Sequence, residues 1–253
     1  MASEPRSKAP AVSRAAAILR ALGDADAPLG VNQLARDLEL VPSTCLHILR
    51  ALTDEGLVSF DPETKRYDIG VGILPIARGA IRRNGFASLA GPRLTDLSKE
   101  FGVTAVATEL IELRHMVVTA VAEARLPFRL SVALGSRFPA LISATGRLVA
   151  AYGDFDVDTL KAAFARMIWD NPPTFETWRA EVEAARRDGY AIDRGAYIAG
   201  VTIVAAPAFD RNGEVVRSLV AIGLSEAITA DRENELAAAL LLTRDEIAAS
   251  LDA

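Results

Sequence analysis

The sequence predicts an α+β chain in two parts: an N-terminal winged helix-turn-helix, then a linker helix leading into a larger domain of paired strands flanked by helices. Three observations predict it. Residues 29–70, LGVNQLARDLELVPSTCLHILRALTDEGLVSFDPETKRYDIG, read as two short helices about a tight turn followed by two short strands. Val201–Phe209 and Val215–Leu224 are apolar, β-branched runs bracketing Asp210-Arg211-Asn212-Gly213, a turn-forming sequence. Finally, 253 residues that are 51% hydrophobic exceed what one small helical domain needs and suit two domains.

From Val12 to Leu22, Ala15, Ile18, Leu19 and Leu22 share one helical face, and DADAP at 24–28 breaks the helix. Val31 to Leu38 forms a second short helix with Leu34, Ala35 and Leu38 inward. Pro42 and Ser43 restart the chain; proline suits a helix start, and Ser43 or Thr44 is expected to cap the free amides there. This third helix packs through Cys45, Leu46, Leu49 and Leu52 and stops near Gly56. Val58–Phe60 and Arg66–Ile69 bracket Asp61-Pro62-Glu63-Thr64 as a strand pair. Gly72 to Arg83 reads as a helix too apolar for a free linker, ending at Asn84-Gly85. Beyond it, Leu89–Phe101 is amphipathic, and Thr104–Ile111 and Met116–Ala124 are strands around a turn at residues 112–115. Ile142–Tyr152, Asp156–Met167 and Phe175–Asp188 are helical, the last stopping at Gly189, and Ala230–Leu251 closes the chain as a long helix.

Charge and cysteine usage narrow the function. The net charge is −5, unevenly placed: residues 1–90 hold 11 Lys/Arg against 10 Asp/Glu, and residues 91–253 hold 17 against 23. So slight a basic excess at the front means that DNA affinity needs clustering on one face, dimerisation, or both. One cysteine, Cys45, allows no intrachain disulfide and suits a reducing cytoplasm; it reads as a small packing residue rather than a redox sensor. His47 and His115 are the two histidines, and no spacing resembles a metal site, so no cofactor is expected. The start, MASEPRSKAPAVS, lacks the apolar segment of a signal peptide, and no apolar run is long enough to span a membrane. A cytoplasmic location is expected.

In a winged helix-turn-helix the early polar residues of the second helix face base edges and phosphates. Here these are Ser43, His47 and Arg50 on one face, with Thr44 at its border. Arg50 can donate to guanine or phosphate, His47 to a base edge or phosphate, and the hydroxyls to either. Lys65 and Arg66 on the wing can neutralise phosphates, and Arg14, with Arg6 and Lys8 of the arm, can add backbone contacts. The expected partner is a double-stranded DNA operator.

ARDLELVPSTCLHILRALTDEGLV followed by KRYDIG resembles the DNA-binding domain of IclR-type bacterial regulators, with its "LPKST…RLL…L…G" helix and "RYxLG" wing end. The similarity continues through PALISATGRLVAAY, like "PLHATAxGKALLA", and RRDGYAIDRGAYIAGVTIVAAPAFDRNGEVVRSLVAIG, like "GYAxDxEExxxGVxCIAAPVFDxxGxVVAALSVSG". It spans nearly the whole chain from about Val12. The resemblance implies a flexible arm over 1–10, the winged helix-turn-helix over 11–71, a dimerising linker helix over 72–86, and a GAF-like effector-binding and oligomerisation domain over 87–253. It also implies homodimers that often pair into tetramers as dimers of dimers, and a small-molecule effector.

The departures from that pattern are informative. Glu39 stands at a turn position where the family usually has glycine, which is tolerable if the turn avoids positive φ. Arg147 replaces the usual lysine, and Arg194, Gly195 and Ala196 replace the acidic pair after Asp193. In relatives that bind small oxo-acids, the resemblance places an aspartate, a cysteine and two serines around the ligand, with backbone amides beside them. The corresponding positions here are Asp193, Ile203, Val220 and Ile222, with Ala144 and Thr145 on the amide segment. An oxo-acid desolvated among branched aliphatics loses partners at about 1–3 kcal/mol for each unpaired polar group. An aromatic or apolar effector gains from the same side chains. The competing expectation is a pocket filled by its own side chains, leaving a ligand-independent regulator that acts through protein partners. Catalysis is not expected: Asp193 and Glu109 have no evident nucleophile to pair with, and the second domain has one histidine.

Overall fold

The computed structural model describes residues 9–111, 115–124, 130–210 and 212–251. The expected contacts at Arg6 and Lys8, most of the turn at 112–115, and Arg211 lie outside these residues. The chain divides into two compact units, one ending at Arg83 and the other beginning at Asn84.

In the first unit α1 (Pro10–Gly23), α2 (Val31–Asp37) and α3 (Pro42–Asp54) close over a core of Ile18, Leu22, Leu34, Cys45, Leu49 and Leu52. Strands β2 (Val58–Asp61) and β3 (Arg66–Ile69) pair antiparallel as the wing. A two-residue strand, β1 (Leu29–Gly30), adds to β3 on its other side, too short to leave a periodic signature in the sequence. Gly56 takes φ +70° just past the end of α3, as its composition predicts.

Two expectations in this unit are corrected. Ser43 and Thr44 do not cap α3: the N-cap is Val41, with no side-chain acceptor. Pro42 at the first helical position has no N–H, which removes one of the amides a cap would serve, and places both hydroxyls already inside the helix. The turn after α2 does not avoid positive φ, because Glu39 sits at φ 52°. The left-handed conformation costs an L-residue with a side chain about 1 kcal/mol or more. Glu39→Gly is therefore expected to stabilise the first unit by about 0.5–1 kcal/mol, part of the relief being offset by glycine's greater freedom when unfolded. Denaturant unfolding checks this, and an unchanged or lower midpoint would refute the strain.

The last helix of the unit, α4 (Ile73–Arg83), has no buried residue and leaves Leu74, Ile76 and Ile81 exposed. The second unit opens with α5 (Gly85–Phe101), which starts four residues earlier than its apolar pattern suggests. Asn84 is the cause: its Oδ1 accepts the Ala87 amide at 3.0 Å and caps the new helix after a one-residue break.

The strands of the second unit are β4 (Thr104–Ile111), β5 (His115–Ala122), β6 (Arg137–Pro139), β7 (Ala191–Arg194), β8 (Val201–Phe209) and β9 (Val215–Leu224). Among the described residues they form one antiparallel sheet in the order β6-β5-β4-β9-β8-β7. The two predicted hairpins are thus joined through β4 and β9, with Val106 opposite Val220 and Thr104 opposite Ile222. One face packs on α5 and α9 (Ala230–Leu251) through Leu94, Leu219, Leu236 and Leu240. The other packs on α6 (Ser143–Tyr152) and α8 (Phe175–Asp188) through Met116, Leu148, Trp178 and Val182. Between them α7 (Val157–Phe164) is shorter than predicted, capped by Asp156 and ending in i→i+3 turns at Arg166 and Met167. Alternate apolar faces on both sides explain why β8 is buried almost throughout.

Candidate DNA interface and effector cavity

On α3 the packing side chains Cys45, Leu49 and Leu52 turn inward, which leaves Ser43, His47 and Arg50 exposed together and Thr44 half-buried at the border. Arg14 is exposed on α1. Cys45 is fully buried, and burial pushes its thiol pKa up, which suits packing and opposes thiolate chemistry.

The wing differs in detail from its sequence reading. Arg66 is exposed but spends one donor within the unit, from Nη1 to the Pro28 carbonyl at 2.8 Å, and so ties the wing to the segment before β1. Lys65 is exposed at φ 55° on the tip. Beside it Asp61 accepts the Glu63 amide at 2.9 Å and the Thr64 hydroxyl at 2.6 Å. These bonds, the hydroxyl's first, hold the Asp61 carboxyl below its ordinary pKa, so the tip keeps a carboxylate close to Lys65. The tip of the wing is therefore of mixed sign, with Asp61 and Glu63 beside Lys65 and Arg66.

In the second unit, a cavity of about 250 Å³ opens between the sheet and α6. Thr145, Ile203, Val220 and Ile222, named from sequence, converge on its wall. Cross-strand pairing explains part of this, since Ile203 lies directly opposite Ile222 in the β8–β9 register. Val106, Val118, Leu130, Val132, Val201 and the aromatic Phe138 extend an apolar lining that periodicity could not single out, because core strands carry the same residues. Ser143, Arg137 and Tyr197 supply polar atoms at the wall.

Ser143 was not among the sequence candidates. It is buried, adopts φ 62°, and starts α6 behind an N-cap residue, Ile142, that offers no side-chain acceptor. The first-turn amides of α6 therefore have no side chain to serve them, and the positive end of the helix faces the cavity wall. Its left-handed backbone is a signal that no sequence pattern carries.

Ala144 is buried in the apolar core beneath α6 and is not part of the lining. Neither is Asp193. The sequence reading counts Asp193 as the surviving polar position, yet both its carboxylate oxygens are already engaged. Oδ2 accepts from Arg147 Nη1 at 2.9 Å, and Oδ1 accepts the amides of Ala196 and Tyr197 at 2.9 and 3.2 Å. Arg147 also donates to the Ser143 carbonyl at 2.9 Å and through Nε and Nη2 to Glu181 Oε2 at 2.8 and 2.7 Å. This buried network joins α6, α8 and β7 and leaves the aliphatic wall without a carboxylate. Arg194, at the missing acidic pair, instead clamps β7 to α9 through Glu233, with contacts of 2.6 to 3.1 Å.

A winged helix-turn-helix with an exposed polar recognition face, followed by an antiparallel α+β domain, defines a DNA-binding transcriptional regulator. The family models described as "Bacterial transcriptional regulator IclR C-terminal" and "IclR helix-turn-helix domain" match residues 79–249 and 11–62, and the chain belongs to the IclR family. It is 26% identical over 228 residues to the HTH-type transcriptional repressor AllR of Escherichia coli K12, covering 88% of this chain and 83% of that one. Its fold is similar to an IclR transcriptional regulator from Alicyclobacillus acidocaldarius, with TM-score 0.84 and 24% identity over 96% of this chain and 99% of that one. It is also similar to an IclR homolog from Microbacterium hydrocarbonoxydans solved with 4-hydroxybenzoate, with TM-score 0.74 and 16% identity over 94% and 97%. Among the described residues no helix is long and apolar enough to cross a membrane.

Proposed function

We propose that this regulator reads operator DNA with α3 and answers to a small, single-ring or similarly compact apolar effector held between the sheet and α6. The observation that carries the effector class is the aliphatic wall of Ile203, Val220 and Ile222 around a cavity of about 250 Å³. That volume lies just under the usual range of about 300–1,000 Å³ for ligand pockets, which favours one ring over two. The engagement of Asp193 by Arg147 supports the same reading, since it withdraws the acceptor a polar ligand would use. The 4-hydroxybenzoate complex of a protein with this fold is consistent with an aromatic occupant. A carboxylate or hydroxyl on the ring would turn toward Ser143 and the first turn of α6.

Calorimetric titration of the full chain with aromatic acids, phenols and short oxo-acids tests this. Saturable binding of an aromatic compound is expected, and tight binding of glyoxylate or pyruvate with no response to aromatics would sink it. If no compound raises the melting temperature, the ligand-independent reading, in which the second domain recruits a protein partner, takes its place.

For DNA, Arg50→Ala is expected to weaken operator binding by about 1–3 kcal/mol without unfolding the chain. Lys65→Ala should lower affinity less, evenly across sequences, and flatten the salt dependence, because its contribution is charge alone and Asp61 is beside it. Unchanged binding in both variants would refute the assigned face. Ser43, Thr44, His47, Arg66 and Arg14 are proposed as accompanying contacts.

Homodimerisation through α4 is part of this reading. Leu74, Ile76 and Ile81 on a helix with no buried residue are an apolar face awaiting a partner, and a second copy supplies the two-fold pairing that a weakly basic DNA unit requires. Sedimentation as a monomer at working concentration would contradict it; pairing of dimers into a tetramer is the further step the same measurement resolves.

A further inference from the structure

On the sheet face opposite the aliphatic cavity, a second cavity of about 580 Å³ opens between the start of α5, the β8–β9 hairpin and the last turns of α9. Phe86, Phe209, Ile247 and Leu251 give it apolar walls, and Arg217 and Arg244 bring charge. The two cavities share no residue.

The charged groups around it are unequally satisfied. Asp210 Oδ1 accepts the amides of Asn212 and Glu214 at 2.9 and 3.0 Å, and Oδ2 accepts Asn212 Nδ2 at 3.2 Å, so this carboxylate is occupied in holding the turn. Arg244 closes on Asp245, through Nε at 2.8 Å and Nη2 at 2.7 Å. Arg217 is different. Its Nη2 lies 3.4 Å from Glu109 Oε1, its Nε is buried with no hydrogen-bond partner, and its guanidinium carbon stands 5.4 Å from the centre of the Phe86 ring. A guanidinium has five N–H donors; on Arg217 the Nε donor is unspent, while Glu109 and the Asp210 carboxylate of the same lining balance part of its charge. An under-bonded cation against aromatic and aliphatic side chains is the complement of a carboxylate carried on an apolar body.

Arg217 also stands at the end of a short chain of contacts. Glu109, its cross-strand neighbour, accepts from Asn84 Nδ2 at 2.9 Å through its other oxygen. Asn84 caps α5 and directly follows Arg83, the last residue of the DNA-binding unit. A ligand carboxylate that draws Arg217 away from Glu109 leaves Glu109 wholly to Asn84.

We propose that this second cavity binds a small monocarboxylic acid with an apolar body, its carboxylate on Arg217 and its body against Phe86 and Leu251, and that occupancy tightens the Asn84 cap at the joint between the two units. The site is independent of the effector cavity, and so is its test. Octanoate is titrated into the full chain and into three variants. Arg217→Gln is expected to weaken binding at least about ten-fold, by removing a charge-assisted pair. Glu109→Gln is expected to tighten it a few-fold, because glutamine keeps an acceptor for Asn84 but no longer competes for the guanidinium. Ile203→Phe, in the other cavity, is expected to leave octanoate affinity unchanged. Amide exchange at Ala87 is expected to slow when octanoate is bound. The proposal is overturned if the wild-type chain takes up no octanoate by about 10 mM, if Arg217→Gln binds it as well as wild type, or if Ile203→Phe abolishes binding. A Glu109→Gln variant that binds no tighter, or unchanged exchange at Ala87, overturns the link to the joint.

Discussion

Replacing Arg147 with alanine is expected to destabilise the second unit by about 3–5 kcal/mol, the range for breaking a buried ion pair from one side. The size follows from what is left behind. Asp193 is fully buried, and alanine would remove the guanidinium that pairs with it while the carboxylate stays in place. Glu181 is partly exposed and can turn to water, so its loss contributes less. Arg147 also supports the Ser143 carbonyl and stands 6.0 Å from the centre of the Trp169 ring, so truncation loosens α6 at the cavity as well. Denaturant unfolding of the second unit measures the cost. The double variant Arg147→Met with Asp193→Leu separates the charge from the packing. It is expected to recover only part of the stability: no buried charge is left alone, but the amides of Ala196 and Tyr197 and the Ser143 carbonyl lose their partners. Equal destabilisation in the single and double variants would show that packing and the backbone hydrogen bonds, not the stranded charge, set the cost.

Gly146→Ala, one residue earlier, is expected to cost about 3 kcal/mol, at the upper end of the range for an overpacked site. A Cβ built on Gly146 would lie 2.0 Å from the Leu141 carbonyl carbon and 2.2 Å from its oxygen. Both are backbone atoms, so no side chain can swing aside. The start of α6 must instead move away from residue 141, by more than about 1 Å to reach ordinary contact distance. Ser143 and Thr145 would move with it. The variant should therefore lose effector binding together with stability, seen as a lower unfolding midpoint and a weaker calorimetric response. Normal stability with normal ligand affinity would mean that α6 does not approach Leu141 so closely.

These two neighbours mark where reading the sequence stops. Most elements of the second unit were legible from it: the turn at residues 210–213, the glycine stop at Gly189, and the amphipathic run of α8 all act within a few residues of themselves. The short strands β1, β6 and β7 were not, because two to four residues of extended chain carry no periodic signal and form only when a longer strand offers its edge. The start of α5 was missed for a related reason, since its first turn is set by Asn84 rather than by apolar spacing. Around the aliphatic cavity, Thr145, Ile203, Val220 and Ile222 were placed by resemblance and do meet at one wall. Asp193 had the same warrant and lies outside that wall.

By itself the sequence determined the class of the protein, the helix whose Ser43, His47 and Arg50 share an exposed face, and the hairpins of the second domain. Helical spacing, turn chemistry and alternation are local, so they survive in a linear reading. Only the tertiary structure decided that Asp193 is bound to an arginine 46 residues away, that Glu39 and Ser143 sit in the left-handed region, and that the sheet separates one aliphatic cavity from a second one beside Arg217. The physical reason is the same throughout. Whether a charged side chain faces a ligand or a partner depends on which distant group reaches it first, and that is settled when the helices pack against the sheet.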